Sequence, residues 1–319
     1  MRVVTVQSVI DLAAIKYQGQ SSRIDAKLGA SLLQFINEAG RARWESVFHP
    51  DWTTVEERAF RADWLVGTAY AAPAATVPVE VLHRRSLAYL QTLRASTGQE
   101  PANATDQVNY AYWHPCLASY AGDDWAASTA YTGGTATDTP GSVVRNPADG
   151  RYYACHTTHT SGATFDSTKF GILTPFLRDI DYEQAGKTAI GAVRDVWDAD
   201  PRILPGAAPL KFDIADTGVI VPGGGRGGSY YGGINLQPAT VWLEYRSRWT
   251  DHVAGGSSFP YVLSLWAANA AAAEQFRAEG QDDKFTAKMK DAAAHWAREL
   301  DILERQQRQT RPLRVAVRN

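Results

Sequence analysis

The sequence predicts an α+β protein: a helical bundle (an N-terminal helix plus a long C-terminal helical hairpin), a small antiparallel β core, and two tandem small β-hairpin modules. Three observations carry this. Apolar residues recur at helical spacing at both ends of the chain, a W-x3-T-A-Y motif occurs twice in the middle, and alternating apolar and polar residues follow it. The segments divide as 1–60 helical, 61–116 first β module, 117–173 second β module, 174–248 β core, 249–310 helical hairpin and 311–319 extended basic tail.

A short helix is expected from about Ser8 to Lys16, closed off by Gly19. Ser21 and Ser22 can cap a second, whose apolar positions Ile24, Leu28, Leu32, Phe35, Ile36, Ala39 and Val47 follow 3- and 4-residue spacing. Gly40 weakens that pattern, and His49-Pro50 ends it because a residue before proline is pushed out of the α region.

Trp64-Leu-Val-Gly-Thr-Ala-Tyr70 and Trp125-Ala-Ala-Ser-Thr-Ala-Tyr131 match at an offset of 61. The segments that follow, ending at Gly98 and Gly162, align with a one-residue gap, and each copy closes on an aromatic, Trp113 or Phe170. In the second copy Val143-Val144 and Tyr152-Tyr153 flank Asn146-Pro-Ala-Asp-Gly150, a hairpin signature. Residues 81–94 of the first copy would pass for a helix on their own, but the repeat makes them a hairpin too.

The β core draws on Phe176–Tyr182, Ala189–Trp197, Leu210/Phe212/Ile214, Val219–Val221 and Val241/Leu243/Tyr245, the last alternating with an outer face of Trp242, Glu244 and Arg246. Pro222-Gly-Gly-Gly-Arg-Gly-Gly228 lacks the Gly-Lys-Ser/Thr ending of a phosphate loop and reads as a surface loop. A helix from Tyr261 to Glu279 stops at Gly280, and the next carries the stripe Phe285, Met289, Ala292, Trp296, Leu300 and Leu303 to about Gln309. That stripe serves either the bundle or an oligomer contact. Beyond Pro312, Leu313, Val315 and Val317 alternate among Arg311, Arg314 and Arg318, a pattern suited to docking on a partner's strand edge.

Composition excludes several classes. Lys and Arg total 32 against 34 for Asp and Glu, so net charge gives no footprint for nucleic acid. Two cysteines cannot build a disulfide framework, and no apolar run approaches the roughly 18 residues of a membrane span. Asp11 and Lys16 interrupt what a signal peptide would need, so a soluble, non-exported protein is expected. His114, Cys116, Cys155, His156 and His159 invite zinc, but the first copy has Leu90 and Gln91 where the second has Ala154, Cys155 and His156, and the spacing of a four-ligand site is missing. Asp195, Asp198 and Asp200 read as turn formers. Without a Gly-x-Ser-x-Gly or His-Glu-x-x-His motif, no catalytic, metal or cofactor residue is assigned, and the chain reads as a non-enzyme.

The repeats resemble the small aromatic β modules of family 5/12 carbohydrate-binding type, although the first lacks Gly-x-x-Val after Tyr70. That resemblance implies sugar stacking on Trp64, Tyr70, Trp125, Tyr131 and Tyr152 or Tyr153. The reading from the residues alone is that these rings fill miniature cores. Outside the repeats, V-I-D-L-A-A-I-K-Y-Q-G-Q-S, R-x-x-W-E-x-V-F-H-P-D-W with V-E-E-R, Ile190-Gly-x-Val193 with Asp200-Pro-Arg202, Val241-Trp-Leu-Glu-Tyr245 and E-L-D-I-L-E-R-Q-Q-R-Q resemble the neck proteins of tailed bacteriophages. That resemblance implies a head-to-tail connector or adaptor of the virion neck, made in the host cytoplasm. It would form a homo-oligomeric ring, of twelve copies to match the portal, contacting portal protein, tail or neck proteins and, transiently, packaged DNA. The rival expectation is a polysaccharide-binding protein, of chitin-like specificity, that uses the two modules; an enzyme with an unrecognised site ranks below both.

Overall fold

The computed structural model describes residues 3–19, 24–49, 52–73, 78–103, 105, 107–204, 206–222, 239–253 and 258–310, with backbone only for Glu304 and 306–310. Among the described residues, four helices and many small, mostly antiparallel sheets make the fold α+β. It divides into two compact units: Met1–Thr54, Ile190–Ala192 and Tyr245–Asn319 form one, and Val55–Ala189 with Val193–Glu244 form the other.

In the first unit, α1 (Val6–Gln18) starts where the Thr5 hydroxyl accepts the Ser8 N–H and ends at Gly19, whose φ of 80° favours glycine. The second helix, α2 (Ala26–Ser46), is capped by Asp25, which accepts the Leu28 N–H at 2.7 Å. The expected caps Ser21 and Ser22, like Pro50, lie outside the described residues. Helix α3 (Tyr261–Ala278) is buried on nearly all sides, with Ala267, Ala268 and Ala270 to Ala273 almost inaccessible. A helix apolar all round belongs at the centre of a core, and α3 packs against α1, α2 and α4 (Asp282–Thr310). Its alanines let those neighbours approach closely. After α3, Gly280 takes φ 73° and Gln281 donates back to the Phe276 carbonyl at 2.9 Å, turning the chain into α4.

The α4 stripe is covered within the chain. Ala292, Trp296 and Leu303 are buried, Met289 and Leu300 pack on the same core, and the Arg43 guanidinium lies 5.6 Å from the Trp296 ring. Phe285, half-buried, sits under Arg277. At the other edge of this core Trp44 stacks on Trp52 at 4.9 Å, and its indole donates to the Ser247 carbonyl. Gly40, a weakness in the helical pattern, is explained by Trp249: a Cβ at 40 would lie 2.7 Å from that ring.

In the second unit the two repeats fold alike. Strands Glu80–His83, Ala88–Thr92 and Trp113–Pro115 form the first sheet, and Val143–Arg145, Tyr152–Cys155 and Phe170–Leu173 form the second, which Asp123–Asp124 extends. Thr92 faces Trp113 as Cys155 faces Phe170, so the helix-like segment 81–94 is indeed a hairpin. Smaller ladders match too: Ala69–Tyr70 with Ser96–Thr97, and Ala130–Tyr131 with His159–Thr160. Both hairpin loops end on a left-handed residue, Gly150 at φ 71° and Leu87 at φ 54°.

The copies are not separate domains. Leu93 of the first and Ala154 and Leu173 of the second share a buried cluster with Tyr120. Gly171 permits this, since a Cβ there would meet the Leu93 backbone at 2.5 Å. Gln91 bonds the Tyr120 hydroxyl and accepts the Thr174 N–H, and Asp138 and Val108 exchange two hydrogen bonds of 3.0 and 3.1 Å. Removing residues 118–173 would therefore uncover Leu93 and Gln91.

The β core is two three-stranded sheets. One orders as Asp179–Asp181, Gly218–Ile220, Asp213–Ile214; the other as Ile190–Trp197, Thr240–Ser247, Thr53–Ala59. Thr53–Ala59 is a strand within the segment 1–60 expected to be helical, and of 210–214 Asp213 and Ile214 are strand. Arg246, expected on an open face, is buried: its guanidinium lies 5.1 Å from the Phe48 ring and donates to the Val47 carbonyl. Arg58 is fully buried against Glu56 at 2.9 Å and the Thr188 carbonyl, and Arg61 bridges Glu80 and Asp179 at 2.6 and 2.7 Å. Residues 223–228 of the glycine-rich loop lie outside the described residues.

Two substitutions test these packing arguments. Gly40→Val forces the Trp249 ring aside and should lower unfolding stability by about 1–3 kcal/mol in urea titrations, as overpacking does. Leu87→Gly removes left-handed strain worth about 1–2 kcal/mol against the added entropy of an unfolded glycine, so stability should rise by about 0.5–1 kcal/mol.

Candidate functional site

The motif W-x3-T-A-Y has a local physical reason. The Tyr70 hydroxyl accepts the Leu65 N–H at 2.7 Å, and the Tyr131 hydroxyl accepts the Ala126 N–H at 2.8 Å. Each tyrosine thus clamps the turn that follows its tryptophan. The same rings pack edge-on to Trp113 at 5.3 Å and Phe170 at 5.6 Å.

This settles which expected stacking residues can offer a face. Tyr70, Tyr131 and Tyr153 are 8%, 6% and 9% exposed, inside the module cores, so they are unavailable to a sugar. Burial, and then its 2.6 Å bond to Asp149, pushes the Tyr153 phenol up to about 12. Trp64 and Trp125 are half-buried at matching places, edge-on to His83 and Phe165, and their indole N–H groups are buried with no partner among the described residues. Tyr152 is half-buried against the shared cluster.

Of the thiols and imidazoles only Cys155 and His159 come together, with Sγ 3.8 Å from Nδ1. Cys155 is buried and donates to the Thr157 carbonyl at 3.2 Å, which His159 Nδ1 also approaches at 2.8 Å. Burial raises both Cys155 and Cys116, keeping them as neutral thiols. His114 lies edge-on to Tyr110 and Tyr120. No group of three or more His, Cys, Asp and Glu that could hold a metal occurs among the described residues. Of the three aspartates expected to form turns only Asp200 does so, accepting the Arg202 N–H at 2.9 Å; Asp198 reaches across to the Ala208 N–H at 2.8 Å, and Asp195 lies within the strand Ile190–Trp197. No helix among the described residues is long and apolar enough to cross a membrane.

An open concavity of about 390 Å³ lies along α2, lined by Ala30, Leu33, Asn37, Glu38, Arg41 and Asp251 among others. Its polar groups already satisfy one another. Both Asp251 oxygens accept from Arg41 at 2.6 Å, and Asn37 exchanges hydrogen bonds with the His252 backbone. It offers no set of convergent reactive groups. The tail residues Arg311, Leu313, Arg314, Val315, Val317 and Arg318 lie outside the described residues.

No family model, no curated protein and no solved structure matches the chain.

One residue was missed in the sequence, and another, His156, was marked only as a metal candidate. Phe165, which packs on Trp125 and Phe170, sits between the repeat landmarks, where no pattern marks it. His156 is half-buried near Arg94 of the other copy and is lowered to about 4, by burial first and by the Arg94 charge second. Its ordinary value is about 6.5. Between these values the unfolded chain binds a proton that the folded chain refuses, so this contribution is intact above pH 6.5 and is lost as pH falls toward 4. Thermal melts from pH 7 to 4.5 should show a Tm that falls less steeply in His156→Gln than in the parent chain.

Proposed function

We propose that this chain is a structural, non-enzymatic protein of a tailed-phage virion. It acts as a head-to-tail connector or adaptor that assembles into a ring of about twelve copies between portal and tail, around the DNA exit path.

The observation that carries the reading, beside the neck-protein resemblance, is α4. It has 29 residues against 18 in α3 and is about 16 Å longer at 1.5 Å per residue, and its sequence runs on into the basic alternating segment 311–319. A long helix followed by such a segment suits an arm that grips a neighbouring ring, through main-chain pairing and arginine contacts to carboxylates. The glycan-binding alternative draws less support, because Tyr70, Tyr131 and Tyr153 are used as core.

Size-exclusion chromatography with negative-stain imaging, and capture by the cognate portal, test the proposal. Rings with a central channel that bind portal are expected. A chain that ignores portal and is retained on insoluble chitin would replace the proposal with the alternative. Deleting residues 311–319 should leave Tm within about a degree of the parent and abolish portal attachment; undiminished attachment would remove the arm.

A further inference from the structure

The seam between the two copies carries charge as well as packing. Continuing the register of Cys155 opposite Phe170, His156 lies opposite Lys169, and its N–H donates to the Lys169 carbonyl at 3.0 Å. Side chains alternate along a strand, so His156 and Lys169 share the side of Ala154 and Gly171. That side meets the first copy: Ala154 shares a buried cluster with Leu93, and Gly171 lies against the Leu93 backbone. The next residue of the first copy is Arg94. By the same strand pairing, the first copy has Leu93 and Tyr112 where the second has His156 and Lys169, and the second has Thr157 where the first has Arg94. The repeat itself does not call for these cations.

Arg94 brings a guanidinium that the fold leaves unpaired. It is half-buried, with Cζ 3.9 Å from the centre of the Tyr112 ring, and its Nε is buried without a hydrogen-bond partner among the described residues. No carboxylate among the described residues pairs with Arg94 or with the half-buried Lys169. Asp166 is the acid of this neighbourhood, but it is exposed and its carboxylate accepts the Thr168 N–H and hydroxyl at 3.0 and 2.7 Å. Burial first, then the charges of Arg94, Lys169 and His159, hold His156 neutral. Cations drawn out of water are ordinarily paired. A guanidinium with one face on an aromatic ring keeps its planar edge for two oxygens.

We propose that Arg94, Lys169 and His156 form a site for one tetrahedral oxyanion of the sulfate or phosphate class, held across the seam between the copies. Two fixed positive charges match a dianion. The guanidinium takes two of its oxygens, Lys169 a third, and His156 takes up a proton to donate to the fourth. Because Arg94 belongs to the first copy and the other two groups to the second, the anion also ties the copies together. The site needs neither the ring nor the arm proposed above.

Calorimetric titration of the full chain with sodium sulfate, against sodium chloride of equal ionic strength, tests it, together with the His156 ring signal in NMR pH titrations. One sulfate should bind per chain, and saturating sulfate should raise the His156 midpoint by about one unit, roughly a tenfold gain in proton affinity. Arg94→Gln and Lys169→Gln should each weaken sulfate about tenfold or more, as loss of a charged hydrogen bond does. Without sulfate each should also raise the His156 midpoint, because a repelling charge is gone. Arg94→Lys, which keeps the charge and loses the planar edge, should retain the low midpoint but not full affinity. Arg145→Gln, which removes a cation already paired with Asp124, should leave both readouts unchanged. Phenyl phosphate separates the two sources of such a group: binding as tight as inorganic phosphate admits an ester, and rejection restricts the site to the free ion, the site standing in both cases. A sulfate response no larger than that of chloride, undiminished binding in Arg94→Gln and Lys169→Gln, or acetate bound as tightly as sulfate would overturn the proposal.

Discussion

The contact between the two hairpin copies is what the β-rich unit depends on. A module of roughly 50 residues buries too little surface to be stable comfortably by itself. Each copy meets that shortage twice, by filling its centre with aromatic rings and by leaning on the other copy. Leu93, Tyr120, Ala154 and Leu173 form the shared cluster, and Gly171 is what lets the backbones approach. Arg61 then ties the first copy's Glu80 to Asp179 of the neighbouring sheet, so the modules belong to a larger body.

The same constraint governs function. Rings committed to a core cannot also be displayed, and the tyrosines of both W-x3-T-A-Y motifs are further committed as clamps on the turns beside them. What differs between the copies is therefore more informative than what they share. The shared residues build the fold; Arg94, His156 and Lys169 stand where the other copy has Thr157, Leu93 and Tyr112, so the fold does not require cations there. In the helical unit, α3 plays the corresponding part, since its alanines let three other helices close on one core.

Much of this was legible in the sequence. Periodicity placed the helices to within a few residues, because capping residues and glycines such as Gly19 and Gly280 punctuate them. The repeat overrode local propensity at 81–94 correctly, since pairing with Trp113–Pro115 decides that segment's structure. Strand Thr53–Ala59 was not legible: Thr-Thr-Val-Glu-Glu-Arg-Ala has no clean alternation, and its Arg58 is buried through an ion pair with Glu56 that forms only in the fold. Nor could spacing show that Arg246 would be buried, because an arginine stem covers apolar surface while its charge finds a carbonyl. The stacking candidates failed by half for a related reason. A motif marks which aromatics matter, while burial decides whether they matter as core or as surface.

The claim that the two repeats fold as one body is tested most directly by native-state hydrogen exchange on Gly171→Val. The added side chain must push against the Leu93 backbone, 2.5 Å from where its Cβ would sit. Protection should fall together in Ala88–Thr92 and Trp113–Pro115 of the first copy and in Tyr152–Cys155 and Phe170–Leu173 of the second. Loss confined to residues 117–173, with the first copy as protected as in the parent chain, would contradict it.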